Sequence, residues 1–139
     1  MNPPTQTGAP PSAKRPKKGN GVTSPSRRGG SGRVITDVLV EMDFVSRGEV
    51  DEAIERANGN GSAPERLLLA DKIISEDQLA RAVAERFGLD HIDLSVYRVD
   101  PDAAKLVTPS AVKRYQSVPV AFAGDRTLLV AMVDPANVL

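Results

Sequence analysis

The sequence predicts an α+β protein: two helical hairpin repeats followed by a small, truncated α/β sheet subdomain with a β-hairpin. Three observations carry this. Apolar residues recur at helical spacing from Val34 to Arg86, an arrangement of apolar pair, cap and helix returns after 29 residues, and beyond Arg86 the period shortens to alternation. A leader precedes these elements. Residues 1–33 hold seven basic residues, no acidic or aromatic ones, and six each of the 11 prolines and 11 glycines, a composition that cannot build a core and predicts disorder. The predicted organisation is a basic Pro/Gly-rich leader over 1–33, a helical repeat subdomain over 34–89, and an α/β subdomain over 90–139.

Val34, Ile35, Val38, Leu39 and Met42 share one helical stripe, which predicts a helix over 34–43. Ser46-Arg47-Gly48-Glu49 is a capping-box sequence, in which hydroxyl and carboxylate satisfy free amides at a helix start. It predicts a second helix over 47–57, with Val50, Ala53, Ile54 and Ala57 inward and a turn at Asn58-Gly59-Asn60-Gly61-Ser62. A shift of 29 residues then aligns Val38-Leu39-Val40 with Leu67-Leu68-Leu69, Phe44-Val45-Ser46 with Ile73-Ile74-Ser75, and Ala53-Ile54 with Ala82-Val83. The second copy has its own box, Ser75-Glu76-Asp77-Gln78. The alternative is two unrelated amphipathic hairpins that happen to align, and both readings give a four-helix unit.

Phe87-Gly88-Leu89 ends the last of these helices, with glycine suited to the left-handed position beyond the C-cap. His91-Ile92-Asp93-Leu94 alternates like a short strand, and Asp100-Pro101 and Thr108-Pro109 each place proline at a first helical position. Residues 117–122 and 127–133, joined by Ala123-Gly124-Asp125-Arg126, read as a β-hairpin, and Asp134-Pro135 reads as a further helix start. A sheet this small is incomplete, so the expectation is a fragment or a domain that another chain completes.

Composition removes several classes of function. There is no cysteine, one histidine and no tryptophan, and no apolar run approaches a membrane span, so disulfide scaffolds, thiol enzymes and Cys/His zinc sites are excluded. The amino terminus lacks the apolar stretch of a secretory signal, which predicts a cytoplasmic protein. The net charge of zero is a cancellation, because residues 34–139 carry all 18 acidic residues against 11 basic ones.

No Gly-x-x-x-x-Gly-Lys-Ser/Thr is present, so this chain is not expected to hydrolyse ATP, and no catalytic, cofactor-binding or metal-binding residues are assigned. Glu41, Asp51, Glu52 and Glu85 read as solvated outer faces. His91 lies beside Asp90 and Asp93, but alternation lets only His91 and Asp93 share a side, so His91 reads as a surface histidine. Lys14-Arg15-Pro16-Lys17-Lys18 and Arg27-Arg28 have the charge to meet phosphates on nucleic acid or anionic lipid, or the chain's own acidic body. Without interleaved aromatics, base stacking is unsupported and a nucleic-acid partner is not expected.

The order of segments Phe44-Val45-Ser46, Ile73-Ile74-Ser75-Glu76-Asp77-Gln78-Leu79, Ala84-Glu85-Arg86-Phe87-Gly88-Leu89-Asp90-His91-Ile92-Asp93-Leu94, Val118-Pro119-Val120 and Leu129-Val130-Ala131-Met132-Val133-Asp134-Pro135 resembles the amino-terminal domain of type II secretion and type IV pilus assembly ATPases. The resemblance spans roughly residues 34–139. It implies a domain that precedes an ATPase core and docks on an inner-membrane platform protein, and related domains are attached to other output domains.

One branch of that family binds cyclic di-GMP through both repeats. Its basic-Leu-Gly opening falls here on Val34-Ile35-Thr36, with Arg33 one residue early, and on Ala63-Pro64-Glu65. Its later glycine falls on Asp43 and Lys72, and its closing glutamine on Ala57 and Arg86. Glycine lets a backbone approach a ligand closely, and Asp43 adds negative charge toward phosphates. The expectation is therefore that cyclic di-GMP binding is absent or weak. The leading functional expectation is a non-catalytic docking domain that orients a secretion or pilus ATPase by protein contacts. The alternatives are a nucleotide-sensing regulatory domain with a divergent site, and a nucleic-acid-associated protein acting through its leader.

Overall fold

The computed structural model describes residues 20–30 and 32–136, and Lys14, Arg15, Lys17 and Lys18 of the expected leader lie outside them. The chain divides into two compact units, one formed by Thr23–His91 and the other by Ile92–Asp134 with Gly21 and Val22. Among the described residues they hold six helices and two two-stranded sheets, the α+β class expected.

The first unit begins with the second residue of β1 (Val22–Thr23) and continues through four helices, α1 (Ile35–Glu41), α2 (Arg47–Asn60), α3 (Pro64–Ala70) and α4 (Glu76–Phe87). Two of them start at the capping boxes. The Ser46 hydroxyl accepts from the Glu49 amide at 3.1 Å and the Glu49 carboxylate accepts from the Ser46 amide at 3.0 Å. Ser75 and Gln78 repeat this at 3.1 and 2.9 Å. α2 outruns its expected end at Ala57, because the turn residues Asn58, Gly59 and Asn60 stay helical until Gly61 supplies the left-handed φ of 74°. A glycine inside a helix costs only about 1 kcal/mol, whereas Gly61 both ends the helix and donates to the Ala57 carbonyl at 2.8 Å.

α1 and α3 end in one and the same way. After α1 the amide of Phe44 donates to Leu39 and that of Asp43 to Val40, each at 3.0 Å. After α3 Ile73 donates to Leu68 and Lys72 to Leu69, also at 3.0 Å. This is the Schellman closure, whose C′ residue must be left-handed. Asp43 and Lys72 occupy it with φ of 61° and 60°, where glycine is the ordinary choice.

For a residue with a Cβ this conformation costs about 1–2 kcal/mol. Lys72→Gly is therefore expected to stabilise the chain by about 1 kcal/mol, read as a higher urea midpoint. An unchanged or lower midpoint would remove strain as an account of this turn.

The 29-residue repeat seen in the sequence reappears as packing. Leu39 and Leu68, Val45 and Ile74, and Ala53 and Ala82 are buried in one core, while Val50 is buried where its counterpart Leu79 packs against that core. Every pair is separated by the repeat length, so the two hairpins contribute equivalent layers.

Part of the expected leader belongs to this unit. Residues 23–30 form a strap on the end of α4, where the Ser26 amide donates to both Glu85 carboxylate oxygens at 3.1 and 3.0 Å and its hydroxyl donates to the same group. Arg28 pairs with Asp90 at 2.8 Å. Val22, just ahead of the strap, is buried as well. Composition predicts disorder here because it counts apolar residues, and this segment is held mainly by hydrogen bonds, an ion pair and glycine contacts.

In the second unit β2 (His91–Ile92), whose first residue closes the helical unit, forms a two-stranded sheet with β1. It is shorter than the expected strand over 91–94. Asp93 diverts the chain into an Asx turn, accepting from the Ser95 amide at 2.9 Å and hydroxyl at 2.6 Å. Two short helices follow, α5 (Pro101–Ala104) and α6 (Pro109–Tyr115), each with proline in its first turn as expected. Both pack against β3 (Ser117–Gly124), which pairs antiparallel with β4 (Thr127–Met132).

The register slips between Pro119 and Ala121, so Val120 is a bulge residue. It is fully buried, as is Ala103 of α5, and its carbonyl accepts from the Asp100 amide at 2.9 Å. Asp134-Pro135 starts no helix within the described residues; Pro135 and Ala136 form a turn. Among the described residues, no helix is long and apolar enough to cross a membrane.

Candidate functional site

The helical unit carries its exposed chemistry on the paired turns. Asp43 and Lys72 are both exposed, and among the described residues neither side chain makes a hydrogen bond or ion pair. Their charged neighbours are already paired. Arg47 meets Asp37 at 3.1 Å, Arg33 pairs with Glu41, and Arg56 of α2 reaches Asp71, the residue before Lys72, at 2.5 Å. Donating to Asp71, and lying beside that carboxylate's charge, holds the Arg56 guanidinium above its usual range. The turns thus present one uncompensated carboxylate and one uncompensated ammonium at equivalent positions.

The other positions matched to the dinucleotide-binding branch differ in accessibility. Val34 is exposed, Ile35 half-buried and Thr36 buried, whereas Ala63, Pro64 and Glu65 are all half-buried. Ala57 is buried and Arg86 half-buried, its guanidinium 5.6 Å from the centre of the Phe87 ring. The strap backbone lies against the end of the second repeat. A Cβ at Gly30 would lie 2.7 Å from the Arg86 carbonyl oxygen, and one at Gly88 would run into the Arg28 carbonyl. Beneath the strap, Ser24, Pro25, Met42, Ala84, Leu89 and His91 line a cleft of about 20 Å³, room for roughly one water. A nucleotide cannot enter this cleft.

Two sequence expectations change here. His91 is 9% exposed, not a surface residue, and its Nε2 lies 3.3 Å from a carboxylate oxygen of Asp77 in the first turn of α4. Glu85 is half-buried under the strap, while Glu41, Asp51 and Glu52 are exposed as expected. Among the described residues no group of three or more metal-ligating side chains converges.

The two capping boxes differ in one respect that can be titrated. Hydrogen bonds from the Ser46 backbone and hydroxyl hold the Glu49 carboxyl below its usual range. A lowered folded-state pKa contributes stability above the usual carboxylate range and loses it as pH falls through the folded value. Gln78 does not titrate. Ser75→Ala is thus expected to cost about 1 kcal/mol at both neutral and acidic pH, whereas the cost of Ser46→Ala shrinks in acid. Urea unfolding at the two pH values checks this, and parallel behaviour of the two variants would refute it.

Comparison with known proteins places these features. Residues 87–139 match the MshEN domain model. The type IV pilus assembly ATPase PilB of Myxococcus xanthus is 32% identical over 108 residues, 78% of this chain and 19% of that protein. The PilB of Thermus thermophilus is 31% identical over 114 residues, 81% of this chain and 13% of that protein. The chain therefore spans a fifth or less of the curated relatives it matches. A solved structure, "Structure of MshE with cdg", superposes with a TM-score of 0.60 at 33% identity, covering 75% of this chain and 74% of that one.

That structure overturns the expectation that cyclic di-GMP is an improbable ligand. The expectation took Asp43 and Lys72 as obstructions, yet both turns keep the left-handed backbone that glycine would adopt. With matching order of elements, paired repeats and a relative of which three quarters is covered, the chain belongs to the MshEN family of N-terminal domains of type II secretion and type IV pilus assembly ATPases, which includes cyclic di-GMP-binding members.

Proposed function

We propose that this chain is a regulatory docking domain in which the helical unit binds a cyclic dinucleotide across its two repeats and the second unit makes protein contacts. The full protein would be a cytoplasmic pilus or secretion ATPase, with this domain orienting the motor on an inner-membrane platform protein. The observation that carries the reading is the likeness to MshE with cdg, joined to the paired exposed turns at Asp43 and Lys72.

Docking is favoured by the hairpin. Phe122 faces Leu128 across the strands, and Val130 and Met132 continue that face by alternation. Phe122, Val130 and Met132 are exposed, an apolar strip suited to a protein partner. Sequence 1–139 contains no P-loop, so this stretch itself contributes binding and position, not hydrolysis.

The test is a titration of cyclic di-GMP into the isotopically labelled chain, followed by backbone amide resonances. Saturable shifts concentrated in residues 33–86 are expected. Unmoved resonances at saturating ligand would overturn nucleotide sensing and leave protein docking as the function to pursue.

A further inference from the structure

The backbones of Asp43 and Lys72 close the turns after α1 and α3, but their side chains have no evident role in the fold. Both occupy a conformation in which a Cβ is unfavourable, both are exposed, and among the described residues neither side chain has a partner. Strain of this kind concentrates at functional positions. The turn amides are not available to a ligand, because those of Asp43, Phe44, Lys72 and Ile73 all donate back into α1 or α3. Recognition at these turns therefore falls to the side chains, and the two are opposite in charge.

Building on the cyclic-dinucleotide reading, we infer that the two repeats read such a ligand unequally, Asp43 selecting a guanine base and Lys72 neutralising a phosphodiester. A cyclic dinucleotide carries two anionic phosphodiesters, so a carboxylate facing them is repelled while an ammonium is attracted. Asp43 is compatible only with a part of the ligand that donates. The Watson–Crick edge of guanine presents two adjacent donors, N1–H and the N2 amino group, which the two oxygens of one carboxylate can accept together. Adenine sets an acceptor beside its single amino group and offers no such pair. The Asp43 turn thus discriminates between bases, and the Lys72 turn contributes affinity without base preference. Asp71, beside Lys72, is tied to Arg56, and Arg47, four residues past Asp43, is tied to Asp37.

The experiment measures binding of cyclic di-GMP and cyclic di-AMP to the full chain, Asp43→Asn and Lys72→Gly by calorimetry at low and moderate salt. The unaltered chain is expected to prefer cyclic di-GMP. Asp43→Asn, whose amide keeps one acceptor and tolerates the left-handed backbone, should lose about tenfold or more of that preference. Lys72→Gly should weaken both ligands by a similar factor and reduce the salt dependence, while its unfolding midpoint rises. Weaker binding by a more stable variant cannot be misfolding. If the unaltered chain binds and both variants match it in affinity and preference, the assignment of these side chains is overturned while the dinucleotide reading stands. If the unaltered chain binds neither ligand, the dinucleotide reading itself has failed.

Discussion

Leu39→Ala is expected to destabilise the helical unit by about 3 kcal/mol, within the roughly 2–5 kcal/mol seen for large-to-small changes in well-packed cores. Leu39 is fully buried, and its carbonyl accepts the Phe44 amide that closes the turn after α1. Its counterpart Leu68 is 1% exposed and closes the second turn in the same way. Truncating either side chain removes about three carbons from contact and leaves a cavity between hairpins that α1, α3 and α4 can fill only by moving together. Leu106, 61% exposed, is the control, and its change to alanine should stay within about 0.5 kcal/mol. Urea unfolding compares the three. A cost at Leu39 no larger than at Leu106 would mean that this core is not what holds the helices.

Gly88→Ala is the second large effect, and it acts through the strap. Gly88 ends α4 with φ of 72°, which alone makes alanine unfavourable by about 1–2 kcal/mol. The added Cβ would also run into the Arg28 carbonyl and the Gly30 amide, both backbone atoms that no rotamer change can move. The strap must therefore leave, taking with it the Ser26–Glu85 hydrogen bonds and the Arg28–Asp90 pair. Hydrogen exchange should show the Ser26 amide losing protection while the amides of Phe44 and Ile73, hydrogen-bonded in the two turns, keep theirs. An alanine variant that retains strap protection would contradict the close approach of these backbones.

Legibility of the site in the sequence followed the range of the interactions involved. Ser46 with Glu49 and Ser75 with Gln78 lie three residues apart, so each cap and its helix were readable from a few letters. Gly88, Pro101 and Pro109 likewise act on their own backbone, and each ends or begins a helix where expected. Ser26 and Glu85 are 59 residues apart, and nothing near either one announces the other. His91 shows the same gap, because its Nε2 meets a carboxylate oxygen of Asp77 in the first turn of α4.

Asp43 and Lys72 mark the boundary between the two kinds of information. Local propensity disfavours both in a left-handed turn, and a residue-by-residue comparison with a glycine motif suggested side chains that obstruct a ligand's approach. The turns are retained because two Schellman hydrogen bonds and an apolar residue on either side of each turn outweigh the local penalty.

By itself, the sequence determined the α+β class, the repeat, the caps and the hairpin, since periodicity and capping are local properties of a chain. Only the tertiary structure decided that residues 23–30 form a strap, that Val120 is turned inward by a bulge, and that two strained turns stand exposed with opposite charges. The strap and the buried Val120 depend on contacts between segments far apart in sequence, whose free energy appears only when the chain has brought them together, and the turns hold their strained backbone because their flanking apolar residues pack on the shared core.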